Sequence, residues 1–209
     1  MLIDFRELFP KYNLTFKGVL HVGANVGEEA PVYRQLGINK QIWIEANKKL
    51  MPRLEDEVLF HRDVEAYAFN VCAGNENKIT VLHISNNAGQ SSSVLELGTH
   101  KTAHPEVHYI EDQEIMMVRL EDFLPPSVIE GIDFLNLDIQ GFELQALQGL
   151  GRIVDQMKAI YLEVNKAELY IGCALIEDID LFMTAHRFRR VETQWAGNTN
   201  WGDALYIKD

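Results

Sequence analysis

The chain has 209 residues, 47% hydrophobic and 24% charged, enough for one α/β domain with a full core and short for two. Its formal net charge of -12 argues against a nucleic-acid partner, because phosphate binding needs a basic surface and the densest basic patch is only Arg187-Phe188-Arg189-Arg190. The two cysteines, Cys72 and Cys173, stand far apart in motif-free surroundings and read as reduced thiols of a cytoplasmic protein, and no apolar run approaches membrane-spanning length.

Met1 to Phe9 is too short and too charged for a signal peptide, and its apolar residues at 2, 5, 8 and 9 suit a small amphipathic helix. Residues 1–17 are therefore expected to form an N-terminal helical extension. Short apolar runs bounded by turn residues predict strands near 18–22, 41–45 and 66–71. Helices near 28–36 and 48–57 connect them, with Pro31 and Pro52 tolerated in first turns. Lys78 to Ile84 alternates like an extra strand, expected as a hairpin partner after the turn Gly74-Asn75-Glu76-Asn77. From Ser85 to Glu114 the regular pattern stops, and Asn86 to Ser93 reads as polar and flexible. An irregular segment of that length inside a compact domain is usually functional or disordered, and its aromatic, His and Leu content favours function.

Regular structure resumes at Ile115–Leu120 and at Ile132–Asp138, a buried strand ending in a carboxylate. A helix over Glu143–Gln148, a strand over Ala159–Glu163, a helix over Ile176–Ala185 and strands near 188–193 and 204–207 complete the chain. The expected fold is one α/β domain over 1–209: a mostly parallel seven-stranded sheet with helices on both faces and an antiparallel edge strand.

Ligands of open α/β sheets bind beyond the carboxyl ends of the strands, so strand ends are the useful coordinates. The first strand delivers Gly23-Ala24-Asn25-Val26-Gly27, the second Glu45-Ala46, the third Asn70 to Ala73, the fourth Asp138-Ile139-Gln140 and the fifth Glu163-Val164-Asn165. The first turn lacks the third glycine of a dinucleotide fingerprint, and Asn25 holds its middle position, where Asn tolerates left-handed angles. Glu28-Glu29 at the following helix start would repel a pyrophosphate. A nucleoside without phosphates is favoured, and S-adenosylmethionine (SAM), with its sulfonium and ammonium, fits. Glu45 is placed to hold the two ribose hydroxyls.

The chain resembles the FkbM family of SAM-dependent methyltransferases, from Val19 to Ile207. The resemblance is carried by Val19-Leu20-His21-Val22-Gly23-Ala24-Asn25-Val26-Gly27, Trp43-Ile44-Glu45-Ala46-Asn47, Val118 to Leu124, Asp133 to Glu143, Tyr161 to Asn165 and Trp201 to Ile207. It departs at His21, where the family often has Asp, and at Gln140, where it often has Glu. The resemblance implies a Rossmann-like class I methyltransferase fold, SAM as methyl donor with S-adenosylhomocysteine as product, and methylation of a hydroxyl on a sugar, glycan or related acceptor.

On that basis His21, Gly23, Ala24, Asn25, Gly27, Glu45, Ala46, Ala73 and Asp138 are expected at the cofactor, and Ser92, Ser93, Glu163, Asn165 and Trp201 at the acceptor. Residues 85–114 would then be an acceptor-side insertion. Asp138 is the first choice for base or base-orienting group, with the SAM ammonium or the next helix as its alternative partner, and His100 or His104 as helper. Glu143 fits a helix start better than the site. His100, His104 and His108 recur every fourth residue, but Pro105 interrupts the helix a zinc site would need, so no protein-held metal is expected. A magnesium ion bridging Asp138 and acceptor oxygens stays open. The rival readings are a catalytically inactive nucleoside-binding or scaffold protein of the same fold and an NAD-dependent oxidoreductase, the latter disfavoured by Glu28-Glu29 and the missing glycine.

Overall fold

The computed structural model describes residues 2–61 and 63–209. In chain order the elements are α1 (Phe5–Lys11), β1 (Gly18–Val22), α2 (Ala30–Gln35), β2 (Lys40–Ile44), α3 (Met51–Val58), β3 (Glu65–Phe69), β4 (Cys72–Ala73) and β5 (Lys78–Ser85). There follow α4 (His100–Ala103), β6 (Tyr109–Val118), α5 (Leu120–Phe123), α6 (Pro126–Ile129), β7 (Phe134–Leu137), α7 (Glu143–Leu150) and α8 (Ile153–Gln156). The chain closes with β8 (Ala159–Asn165), α9 (Ile176–Ala185), β9 (Phe188–Trp195) and β10 (Trp201–Lys208).

Seven strands form one sheet in the order β3-β2-β1-β7-β8-β10-β9. β3, β2, β1, β7 and β8 run parallel, and β10 runs against β8 and β9, so the expected antiparallel edge is the β9–β10 pair. After β1 the chain builds outward through β2 and β3, then returns to place β7 on the other flank of β1. That reversal makes the β1–β7 boundary the topological switch point, where such sheets open a crevice.

Period-two alternation sends neighbouring strand residues to opposite faces of the sheet. Leu20, Leu135, Leu137, Ile160 and Leu162 pack with Leu147, Leu150, Ile179 and Met183 of α7 and α9. Val19, Trp43, Phe134, Tyr161 and Leu205 pack on the other face with Phe5, Leu8 and Phe9 of α1, Tyr33 of α2, and Leu54 and Val58 of α3. Helices therefore cover both faces, which is why the central strands read as unbroken apolar runs. No helix among the described residues is long and apolar enough to cross a membrane.

Three expectations about the strands need correction. The run expected as one strand near 66–71 splits: β3 ends at Phe69 in the main sheet, and Cys72–Ala73 joins a second sheet of order β4-β6-β5. β5 is not a hairpin partner of the preceding strand; it pairs antiparallel with β6, from Lys78 opposite Met117 to Ser85 opposite Tyr109. β6 also begins six residues earlier than the expected 115, because Ile110, Asp112, Glu114 and Met116 all face solvent and blur the apolar alternation.

The stretch Asn86–Ser93, expected to be flexible, is tied into the fold. Ser93 and His83 exchange backbone hydrogen bonds, the Ser91 backbone N–H donates to Ser85 Oγ at 3.1 Å, and Asn87 Nδ2 donates to Ser91 Oγ at 2.9 Å. Gly89 lies against Asn47 and Leu50, so this segment reaches across to the far side of the crevice.

Candidate active site

A cavity of about 540 Å³ opens at the switch point, within the usual range for a small-molecule site. Its floor is the turn after β1. Gly23 has φ +86°, and a Cβ there would fall 1.7 Å from the Asp138 carbonyl oxygen, so only glycine lets β1 and β7 diverge at this point. Asn25 adopts φ +48°, as its tolerance of left-handed angles suggested. The Gly23 and Ala24 backbone N–H groups donate to the Ile44 carbonyl at 2.9 and 3.0 Å, which fastens the turn to the end of β2.

Glu45 stands immediately after β2, only 8% exposed. Its Oε2 accepts the Asn25 backbone N–H at 2.7 Å and its Oε1 accepts the Asn47 backbone N–H at 2.6 Å. Burial pushes this carboxyl up to about 7 against the pull of those bonds. Each oxygen keeps a second lone pair, so a pair of vicinal hydroxyls can be held here as well. Asn70 Nδ2 supports the loop by donating to the Glu45 and Ala46 carbonyls at 2.8 and 3.1 Å, and Gln113 Nε2 donates to Ala46 at 2.9 Å.

Asp138 follows β7 and Glu163 lies within β8. One side chain joins them: Gln140 Nε2 donates to Asp138 Oδ1 at 2.6 Å and to Glu163 Oε2 at 2.9 Å, while its Oε1 accepts from the Tyr170 hydroxyl at 2.7 Å. Gln140 holds this position with φ +56°. Burial raises both carboxyls above the usual carboxylate range; repulsion from Asp203 adds to it at Asp138, and repulsion from Asp138, Glu143 and Asp203 adds to it at Glu163. A Glu at 140 would set a third acceptor between two others; the amide supplies the two N–H groups they need. Gln140 is thus a network residue that sequence reasoning treated only as a lost carboxylate.

His21 lies on the floor with its ring stacked on Trp43 at 4.9 Å and its Nδ1 3.1 Å from the Tyr33 hydroxyl. Burial drives its pKa down to about 3, so it is a neutral imidazole and its approach to Glu29 at 3.9 Å is no ion pair. His100 and His104 come from α4 and its end, with rings 5.0 Å apart. His100 is 5% exposed, its pKa lowered by burial and by His104, and its Nδ1 has no hydrogen-bond partner among the described residues. His108 is exposed and outside the cavity, and no cluster able to hold a metal ion occurs among the described residues.

Of the residues expected at a site, the cavity wall brings together His21, Gly23, Ala24, Asn25, Glu45, Ala46, Ala73, Ser92, Ser93, His100, His104, Asp138, Glu163 and Trp201. Two stand outside it. Gly27, with φ +79°, packs against Leu54 and Val58 of α3, so its role is to close the turn onto that helix. Asn165 is buried beside β10, its Nδ2 3.5 Å from Glu163 Oε1. Glu143 also lies off the wall; its Oε1 accepts the Ile139 and Gly141 backbone N–H groups at 3.0 and 3.1 Å, the helix-start role expected of it.

Glu29 lines the wall beside Glu28, as their place at the helix start suggested, and so do Glu106 and Asp203, which sequence reasoning did not place there. Asp203, one residue past Gly202 in the closing block, accepts from the Tyr161 hydroxyl at 2.6 Å. With Glu28, Glu45, Asp138 and Glu163 they give a wall rich in carboxylates, and no Lys or Arg among the described residues lines it.

A comparison with family models matches residues 21–190 to the methyltransferase FkbM domain. The chain belongs to this family. A 2-O-methyltransferase, NoeI of Sinorhizobium fredii, is 24% identical over 161 residues, which are 74% of this chain; the match spans 65% of the length of that curated relative. Among solved structures the fold is shared with magnesium protoporphyrin IX methyltransferase of Synechocystis PCC 6803 with bound SAM, at TM-score 0.53 and 12% identity, over 98% of this chain and 76% of that one. A SAM-dependent methyltransferase of Aquifex aeolicus gives TM-score 0.50 at 13% identity, over 100% and 91% of the two chains. These likenesses agree with the Rossmann-like sheet order of this FkbM-family chain.

Proposed function

We propose that the chain is a SAM-dependent O-methyltransferase acting on a hydroxyl of a sugar, glycan or similar polyhydroxylated acceptor. The observation that carries the reading is Glu45, buried at the end of β2 beside a glycine turn, in a cavity lined by carboxylates and by no Lys or Arg. That wall suits a nucleoside bearing a sulfonium and an ammonium and opposes a pyrophosphate. The relative NoeI, a 2-O-methyltransferase, supports the oxygen as methyl acceptor.

When bound, SAM supplies a methyl group activated on sulfur. Gly23, Ala24 and Asn25 give the backbone approach, Glu45 takes the ribose hydroxyls, and Ala46, Cys72 and Ala73 offer the apolar wall a purine needs. Asp138, held by Gln140, serves as proton acceptor for the attacking hydroxyl; its raised pKa brings it nearer the operating pH, where a general base works best. Ser92, Ser93, Glu163 and Trp201 form the acceptor wall, with His100 and His104 at its edge.

The test is transfer of labelled methyl from SAM to a set of glycans, with and without a chelator. Label in a base-stable ether supports the reading. Label in a base-labile ester or on nitrogen overturns the O-alkyl assignment, and loss of transfer with chelator would show that a divalent metal ion takes part, for which Asp138 is the candidate ligand.

A further inference from the structure

The acceptor half of the cavity has a charge character that the methyl-transfer reading does not require. A sugar hydroxyl can arrive on a neutral glycan, on an amino sugar, or on a phosphate-activated sugar, and these demand different walls. Sites for phosphate supply Arg, Lys or a ring of backbone N–H groups. Here the entrance carries Glu28 and Glu106, both exposed, and the interior carries Asp203 and Glu163, both buried; burial favours the protonated form of Glu163, which likewise offers an anion no positive charge. Among the described residues none of these is ion-paired with a Lys or Arg, and Glu106 approaches His104 at 3.7 Å. The remaining polar groups on this side are amides and hydroxyls, Asn87, Gln90, Ser91, Ser92 and Ser93.

A second observation points the same way. His100 lines the cavity and is 5% exposed, and its Nδ1 has no hydrogen-bond partner among the described residues. Burial and the neighbouring His104 disfavour its protonated form. A neutral imidazole offers no positive charge to an anion.

We infer that the acceptor carries no phosphate, sulfate or carboxylate group near the methylated hydroxyl, and is a neutral or amine-bearing polyol. This rests on the methyl-transfer reading and narrows it. It places the methylation either before a sugar is activated with phosphate or after it has left a nucleotide carrier.

Two measurements test it. In the first, Trp201 reports the potential inside the cavity, since it lines the wall. Trp43 is fully buried and invisible to ions, and Trp195, which lies under the Lys166 ammonium at 3.7 Å, is replaced by Phe. Quenching by caesium and by iodide is compared at constant ionic strength, and the same chain unfolded in urea corrects for the net charge of -12. The caesium-to-iodide ratio of the folded protein should exceed that of the unfolded chain at least about threefold. A ratio equal to or below that of the unfolded chain overturns the inference.

In the second, labelled methyl transfer from SAM to glucose, glucosamine and glucose 6-phosphate is compared. The unphosphorylated sugars should be methylated at least about tenfold faster than the phosphate. Equal or faster transfer to glucose 6-phosphate overturns the inference. If none of the three is methylated, the quenching ratio decides. If neither SAM nor S-adenosylhomocysteine binds, the methyl-transfer reading fails while the quenching still reports the cavity.

Discussion

Acidification should loosen the hold on a nucleoside through one residue, Glu45. Its carboxyl, pushed up to about 7 by burial, is close to half-protonated at neutral pH in the free protein. Its two oxygens already accept the Asn25 and Asn47 backbone N–H groups at 2.7 and 2.6 Å, so ribose hydroxyls must use the remaining lone pairs of the ionised form. Binding therefore favours the anion and expels a proton, and affinity is lost as pH falls through the free-protein pKa. Between pH 8 and pH 6 the ionised fraction falls about tenfold, which weakens binding by about 1.4 kcal/mol.

Calorimetry of S-adenosylhomocysteine binding at pH 6, 7 and 8, in buffers of different ionisation enthalpy, reads both the affinity and the proton released. Glu29, also pushed up to about 7 by burial, responds in the same direction, since a ligand ammonium favours its anion. Glu45→Gln separates the two. The amide turns an N–H toward one of the backbone donors, so affinity should fall about ten- to a hundredfold, and part of the pH dependence should vanish. A parent protein whose affinity is flat over this range, or a folded Glu45→Gln protein with unchanged affinity, would refute the reasoning.

Three further outcomes follow from the same geometry. Asp138→Asn keeps size and hydrogen bonding but removes the proton acceptor, and should lower kcat at least about tenfold while S-adenosylhomocysteine affinity changes less; an unchanged kcat would confine Asp138 to structure. Trp201→Ala should raise the acceptor KM about tenfold with cofactor affinity preserved, through loss of a stacking face, as checked by initial-rate kinetics and calorimetry. Gly23→Ala places a Cβ 1.7 Å from the Asp138 carbonyl and should cost at least about 3 kcal/mol in urea denaturation, whereas Gly37→Ala, with no atom within 4 Å at a similar positive φ, should cost about 1 kcal/mol.

The parts of the fold that are local in sequence were legible. Gly18–Val22, the helix over Ile176–Ala185 and the first-turn prolines Pro31 and Pro52 declare themselves through periodicity and backbone constraint. Glu45 and Asp138 were legible for a related reason: a strand end is readable in one dimension, and the parallel sheet converts it into a position at the crevice. What could not be read depends on elements distant in sequence. β5 pairs with β6 across the 86–108 segment, and nothing in Lys78–Ser85 names that partner. The role of Gln140 exists only because β7 and β8 bring Asp138 and Glu163 within reach of one amide and Tyr170 closes the network from another loop. Gly27 misled for the opposite reason: the motif suggests a ligand contact, but α3 packs where the ligand would have to be.

The account stands most directly on what the switch-point cavity accepts. Titration of the protein with S-adenosylhomocysteine and, separately, with NAD measures this without knowledge of the acceptor. The acidic wall and Glu45 predict saturable binding of S-adenosylhomocysteine, abolished or weakened at least about tenfold by Glu45→Ala, and no binding of NAD at the same concentrations. Binding of NAD in preference to S-adenosylhomocysteine, or of neither, would contradict the central claim.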